Sequence, residues 1–136
     1  MKAEMSRLAV GQTARRERTV TQADIAAFAE VSGDHNPVHL DPEFARDTIF
    51  GGVIAHGMLS AAFISELLAT DLPGEGAVYL EQSLRFRAPV RPGNTVVIEV
   101  EVLELFPSRK RVRLRTTCSV DGTAVLTGEA LMMVQA

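Results

Sequence analysis

Hydrophobic positions along this chain change period once, near Gly76. Before that point apolar residues recur at helical spacing or run almost unbroken; after it they alternate with polar ones, as in strands with one buried face. Thr21 with Asp24 three residues on resembles a capping box in its acidic variant. Ile25, Phe28 and Ala29 follow at helical spacing, so a short amphipathic helix is predicted. Another turn of helix is expected over Glu43 to Arg46, after Pro42, before Gly51-Gly52 breaks the chain. From Gly57 to Thr70 nearly every position is apolar or small, and a helix that is apolar all round is buried on most sides. At about 1.5 Å per residue it spans roughly 21 Å, the scale of a small domain's core.

The second half reads as strands. Val78, Leu80, Leu84 and Phe86 alternate with Tyr79, Glu81, Ser83, Arg85 and Arg87, which predicts one strand with the first set inward. After the turn Arg91-Pro92-Gly93-Asn94, Val96, Ile98, Val100 and Val102 alternate with Glu99 and Glu101. A third strand carries Val112, Leu114 and Val120 opposite Arg111, Arg113 and Arg115. Asp121-Gly122 is a hairpin turn into a last strand from Thr123 to Val134. With an earlier strand near Gln12 to Val20, these form an antiparallel sheet whose apolar face needs a cover. The only long apolar element available is the helix from Gly57 to Thr70, so the sheet is expected to wrap it.

A chain of 136 residues holds one domain, residues 1–136, with residues 1–7 expected as a flexible N-terminus. A net charge of -3 gives no basic excess to suggest a nucleic-acid partner. The single cysteine, Cys118, excludes an internal disulfide, fits a reducing compartment, and sits among alternating strand residues where packing is its expected role. Met1 to Val10 has no apolar run that would make a secretory signal. Val53 to Ala69 is interrupted by His56, Ser60, Ser65 and Glu66, short of the roughly 20 apolar residues of a membrane span. A cytoplasmic protein with no membrane contact is the reading.

Candidate chemistry is concentrated in Ser32-Gly-Asp-His-Asn-Pro-Val-His-Leu-Asp-Pro42. Asp34 and His39 stand five residues apart, in a segment that Pro37 and Pro42 keep from becoming a plain helix. If the two side chains converge, they suit general acid-base chemistry near neutral pH. A solvated turn is the alternative, since turns use Asp, Asn and Pro for backbone reasons. Asn36 and Asp41 suit turn or supporting roles, His35 is expected to point elsewhere, and His56 to cap or pack. The donors Asp34, His39 and Asp41 match no established zinc or calcium loop, so no metal and no cofactor is expected.

Three spaced strings carry a resemblance: Ser32 to Pro42; Phe50-Gly-Gly-Val-Ile-Ala-His-Gly-Met-Leu59; and Pro89-Val-Arg-Pro-Gly-Asn94. In this order, from about Leu8 onward, they resemble the (R)-specific enoyl-CoA hydratases of the MaoC-like family. Asn94, where related chains often carry Asp, is a departure. The resemblance implies an α+β hot-dog fold, an antiparallel sheet wrapped around a long central helix. It also implies a catalytic dyad of Asp34 and His39, a thioester-binding backbone N–H at Gly57, and a supporting Ser65 on the central helix. The substrate would be an acyl-CoA thioester, and the assembly a homodimer joined edge to edge.

The expected reaction is reversible hydration of a trans-2-enoyl-CoA to the (R)-3-hydroxyacyl-CoA. Gly57 opens the buried helix, where free N–H groups and the positive dipole end converge, although an unusual backbone at the helix start would equally explain a glycine. Leu67, Leu68 and Met132 suit either an acyl tunnel or plain core packing. Arg85, Arg87, Arg109, Lys110, Arg111, Arg113 and Arg115 suit a solvated strand surface, with a subset able to meet coenzyme A phosphates. The alternatives are dehydration of 3-hydroxyacyl-carrier protein or another hydroxyacyl-CoA, a thioesterase with Glu66 as its carboxylate, and a non-catalytic acyl-binding module.

Overall fold

The computed structural model describes residues 1–135; Ala136, the last residue of the expected 1–136 domain, lies outside them. Strand β1 (Thr13–Thr19) comes first, followed by helices α1 (Gln22–Ser32), α2 (Pro37–Leu40), α3 (Pro42–Arg46) and α4 (Gly57–Thr70). Strands β2 (Val78–Gln82), β3 (Arg85–Phe86), β4 (Thr95–Phe106), β5 (Arg111–Val120) and β6 (Thr123–Met133) complete the chain. All strand pairs are antiparallel, in the order β1-β4-β5-β6-β2, with β3 also on β6. The sheet packs along α4 through β1, β4, β5 and β6, which is the hot-dog arrangement expected above.

Each turn of the helical half has a local cause. Thr21 Oγ1 accepts from the Asp24 N–H while the Asp24 carboxylate accepts from the Thr21 N–H, so both halves of the capping box form at α1. Gly33 ends α1 in the left-handed region at φ 78°, which a glycine adopts without Cβ strain. Asn36 and Asp41 then cap α2 and α3, and Pro37 and Pro42 occupy the first helical position of each. α2 is an element that the proline spacing did not announce.

The core joins Ile64, Leu67 and Leu68 of α4 to Val96, Ile98, Val100, Val112, Leu114, Leu126 and Met132 of the sheet. Burying each of the large aliphatic side chains favours folding by about 1.5–3 kcal/mol. α4 is not covered all round in the single chain. Leu59, Ser60, Phe63, Ile64, Leu67 and Leu68 are buried, while Met58, Ala62, Glu66 and Ala69 form an exposed stripe.

Two further expectations change. The run from Val78 to Arg87 is not one strand with Val78 and Leu80 inward: both are exposed, and Tyr79 packs on the core instead. A bulge between Tyr79 and Glu81 breaks the two-residue period, and β2 ends at Gln82 before β3 begins. The Tyr79 hydroxyl donates to Gln82 Oε1 at 2.6 Å, and burial, reinforced by Cys118, pushes its pKa up to about 12. Residues 1–7, expected to be flexible, are tied down. Met1 and Ala3 exchange backbone hydrogen bonds with Glu75, the terminal ammonium donates to the Thr70 carbonyl, and Ala3 and Leu8 are buried. Apolar anchors with backbone partners are what order a terminus.

Candidate active site

The site forms where α2, the segment before α4, and α4 itself converge. Asn36 Oδ1 accepts from the Val38 N–H and Asp34 Oδ1 from the Asn36 N–H, so the loop is held by its own side chains. Asp41, weighed in the sequence as a third metal donor, is committed to capping α3 through the Glu43 and Phe44 N–H groups. His35 lies on the outside, 3.7 Å from the Glu30 carboxylate.

Asp34 and His39 do converge, and they bring a third residue with them. A carboxylate oxygen of Asp34 and one ring nitrogen each of His39 and His56 all lie within 4.8 Å of one another. Asp34 is exposed, His39 is buried, and His56 is 2% exposed. The His39 and His56 rings stack with centroids 3.9 Å apart. His39 Nδ1–H donates to the Ile54 carbonyl at 2.7 Å, because a carbonyl oxygen can only accept. Nε2 of a neutral His39 therefore carries a lone pair. By the same reasoning His56 Nε2–H donates to the Asp34 backbone carbonyl at 3.0 Å, and His56 Nδ1 is a buried acceptor with no partner among the described residues. The three donors are close enough to hold a divalent cation, and each ring, with one N–H on a backbone carbonyl, keeps its other nitrogen free.

His39, His56 and Gly57 share a cavity of about 440 Å³ with Phe50, Ile54, Ser60, Phe86, Arg87, Val90 and Leu126, among others. Its walls are mostly apolar, as a small-molecule site requires. At the start of α4 the Leu59 N–H returns to the His56 carbonyl, whereas the Gly57 and Met58 N–H groups have no acceptor among the described residues. Two free donors at the positive end of a fourteen-residue helix favour a developing negative charge. Gly57 is constrained by packing as well: a Cβ there would lie 2.5 Å from Phe86 Cε1.

Ser65 is half-buried two turns along α4, does not line the cavity, and its hydroxyl has no protein partner among the described residues. Ser60, which the sequence did not single out, is the buried serine that lines it. Leu67, Leu68 and Met132 are wholly within the core and off the cavity wall, so packing is their role here. Glu66 is exposed and accepts from Arg16 Nη1 at 2.7 Å, away from the cavity. Of the strand arginines named above, Arg87 alone reaches the cavity wall; Arg115 pairs across strands with Glu101. No local signal marks His56, because its partner, the Asp34 carbonyl, is 22 residues away in the chain.

The chain is similar to known proteins in sequence and in fold. The chain is 52% identical over 127 residues to the 3-hydroxybutyryl-CoA dehydratase of Methylorubrum extorquens, spanning 93% of this chain and 81% of that protein. It is 52% identical over 126 residues to the (R)-specific enoyl-CoA hydratase of Rhodospirillum rubrum, spanning 93% and 88%. The solved R-hydratase from Pseudomonas aeruginosa, in its unliganded form, superposes with a TM-score of 0.92 at 46% identity, covering 98% of this chain and 86% of that one. Residues 6–124 match the MaoC like domain, and the chain belongs to that family.

Proposed function

We propose that the protein catalyses reversible, (R)-specific hydration of a trans-2-enoyl-CoA to the (R)-3-hydroxyacyl-CoA. The observation that carries this reading is the Asp34 carboxylate within 4.8 Å of a ring nitrogen of His39, whose lone pair is on Nε2, next to a cavity whose wall includes the unsatisfied N–H of Gly57. With the thioester carbonyl on the Gly57 N–H, C3 of the enoyl group faces the dyad. A water donates one hydrogen bond to Asp34 and one to His39 Nε2, both acceptors at rest. Its oxygen bonds to C3, the C2–C3 π electrons move into an enolate on the thioester, and the dyad passes one proton from the water to C2 on the same face. The helix-start N–H stabilises the enolate oxygen, an effect worth about 3–4 kcal/mol per donor in other oxyanion holes. Asn36 supports the dyad by holding its loop, and Ser65 supplies a free hydroxyl on the central helix.

The whole of residues 1–136 acts as one unit in this reading, as a cytoplasmic enzyme. β2 is a sheet edge with Val78 and Leu80 each 39% exposed, which supports pairing of two copies through that strand in a homodimer. The ion pair that holds Glu66 away from the cavity counts against a thioesterase.

The test is loss of the conjugated enoyl absorbance with crotonyl-CoA, with chiral analysis of the product and crotonyl-acyl-carrier protein as a second substrate. Asp34→Asn and His39→Gln should each slow turnover by roughly 10²–10⁴-fold, the usual size of an acid-base contribution. Unchanged turnover in both would remove the dyad, and release of free thiol would make the protein a thioesterase.

A further inference from the structure

The mechanism above uses Asp34 and His39 and leaves His56 without a role. His56 ends the segment that leads into α4, at φ -61° and ψ 133°, and its side chain makes no capping bond to that helix. Its ring is instead a junction of three elements. Phe28 of α1 contacts it at a centroid distance of 4.9 Å, His39 of α2 stacks on it at 3.9 Å, and its Nε2–H donates to the Asp34 carbonyl. A buried ring that served packing alone would be better apolar, because Nδ1 is left without a partner at 2% exposure. The feature that an apolar ring cannot supply is the donor to Asp34.

We propose that His56 is the positioning residue of the dyad: its Nε2–H fixes the Asp34 backbone and its ring fixes the plane of His39. This rests on the hydratase reading. Because the next residue is Gly57, one stretch of backbone then sets both the carbonyl-binding N–H and the relative placement of acid and imidazole. A shift of the Asp34 loop against α4 would misalign water and thioester together. Asp34 is exposed and its side chain bonds only within its own loop, so nothing else on the described chain ties that residue to α4.

Three variants of the full chain separate the two contributions. His56→Gln carries an amide donor that reaches the place of Nε2, His56→Phe keeps the stacked ring without a donor, and His56→Leu keeps neither. Expected for His56→Phe is a folded protein whose kcat on crotonyl-CoA falls on the order of 100-fold, as for a misplacement of about 1 Å, with KM little changed. His56→Gln should recover most of that loss, and His56→Leu should fall furthest. In parallel, amide hydrogen exchange over residues 34–41 should quicken in His56→Phe and return towards the wild-type rate in His56→Gln. Wild-type kcat and wild-type exchange in His56→Phe would overturn the proposal, as would a loss confined to KM. If His56→Phe does not fold, the contrast of His56→Gln with His56→Leu reads the same bond. A wild-type protein that fails to hydrate crotonyl-CoA counts against the hydratase reading alone; the exchange comparison then decides whether His56 holds the Asp34 loop.

Discussion

The Nδ1–H of His39 is held by the carbonyl oxygen of Ile54 at 2.7 Å, fifteen residues along the chain, and this one bond decides which ring nitrogen serves the cavity. Asparagine can place an amide donor near the Nδ1 position but has nothing at Nε2. His39→Asn should therefore keep the Ile54 bond and most of the stability while losing turnover by at least about 100-fold. Thermal melting and the crotonyl-CoA assay, run on the same preparation, check the separation.

Gly57 and Phe86 form a second pair with a measurable coupling. An alanine Cβ at residue 57 would sit 2.5 Å from Phe86 Cε1, so the ring must swing away. Phe86 is 53% exposed and can move, which makes the cost moderate. Gly57→Ala should destabilise the wild type by about 1–3 kcal/mol and much less in a Phe86→Ala background. A double-mutant cycle by urea unfolding measures the difference, which additivity would erase.

Gly128 offers no such escape. A Cβ there would lie 1.8 Å from the Ser83 carbonyl oxygen, which is backbone, at the point where the chain passes from β2 to β3 over β6. The Ser83 N–H and hydroxyl both bond to Glu129 nearby, so the crossing is anchored. Gly128→Ala should cost about 3 kcal/mol or more, read as a fall in the denaturation midpoint.

Cys118 is fully buried in β5, its thiol pushed up to about 12 by desolvation, with a weak S–H contact to the Ser60 carbonyl at 3.8 Å. The thiolate is the reactive form, so at pH 8 a thiol reagent should leave the native protein untouched and label it only in denaturant. Cys118→Ala should retain hydratase turnover in the folded protein. Rapid labelling of the native state would contradict the burial.

The α1 cap makes the fold acid-sensitive. The Thr21 N–H, more than any other cause, holds the Asp24 carboxyl below its ordinary 3.8; burial opposes it, and the Thr21 hydroxyl and Arg18 add to the lowering. A folded pKa below the unfolded one means that this contribution is complete above the unfolded value and is lost as pH falls through the folded one. Asp24→Asn, which removes the charge and keeps the Thr21 cap, should lower stability by about 0.5–1 kcal/mol at pH 7, and the gap to wild type should narrow below about pH 4. Urea unfolding at the two pH values checks it.

Much of this protein is determined by residue pattern alone. The capping box at Thr21, the apolar run from Gly57 to Thr70 and the alternation from Val96 onward are local, because backbone periodicity and side-chain caps act over a few residues. The paired placement of Asp34 and His39 was legible through the loop between Gly33 and Pro42 and through its resemblance to a family.

Tertiary structure decided the rest. The bulge that turns Tyr79 inward depends on register against β6, which no single strand encodes. The stack of His56 on His39, its bond to Asp34, and the choice of Ser60 rather than Leu67 or Leu68 for the cavity wall depend on how α2 and α4 meet. Such contacts join residues far apart in the chain, so their geometry exists only once the sheet and helices have packed.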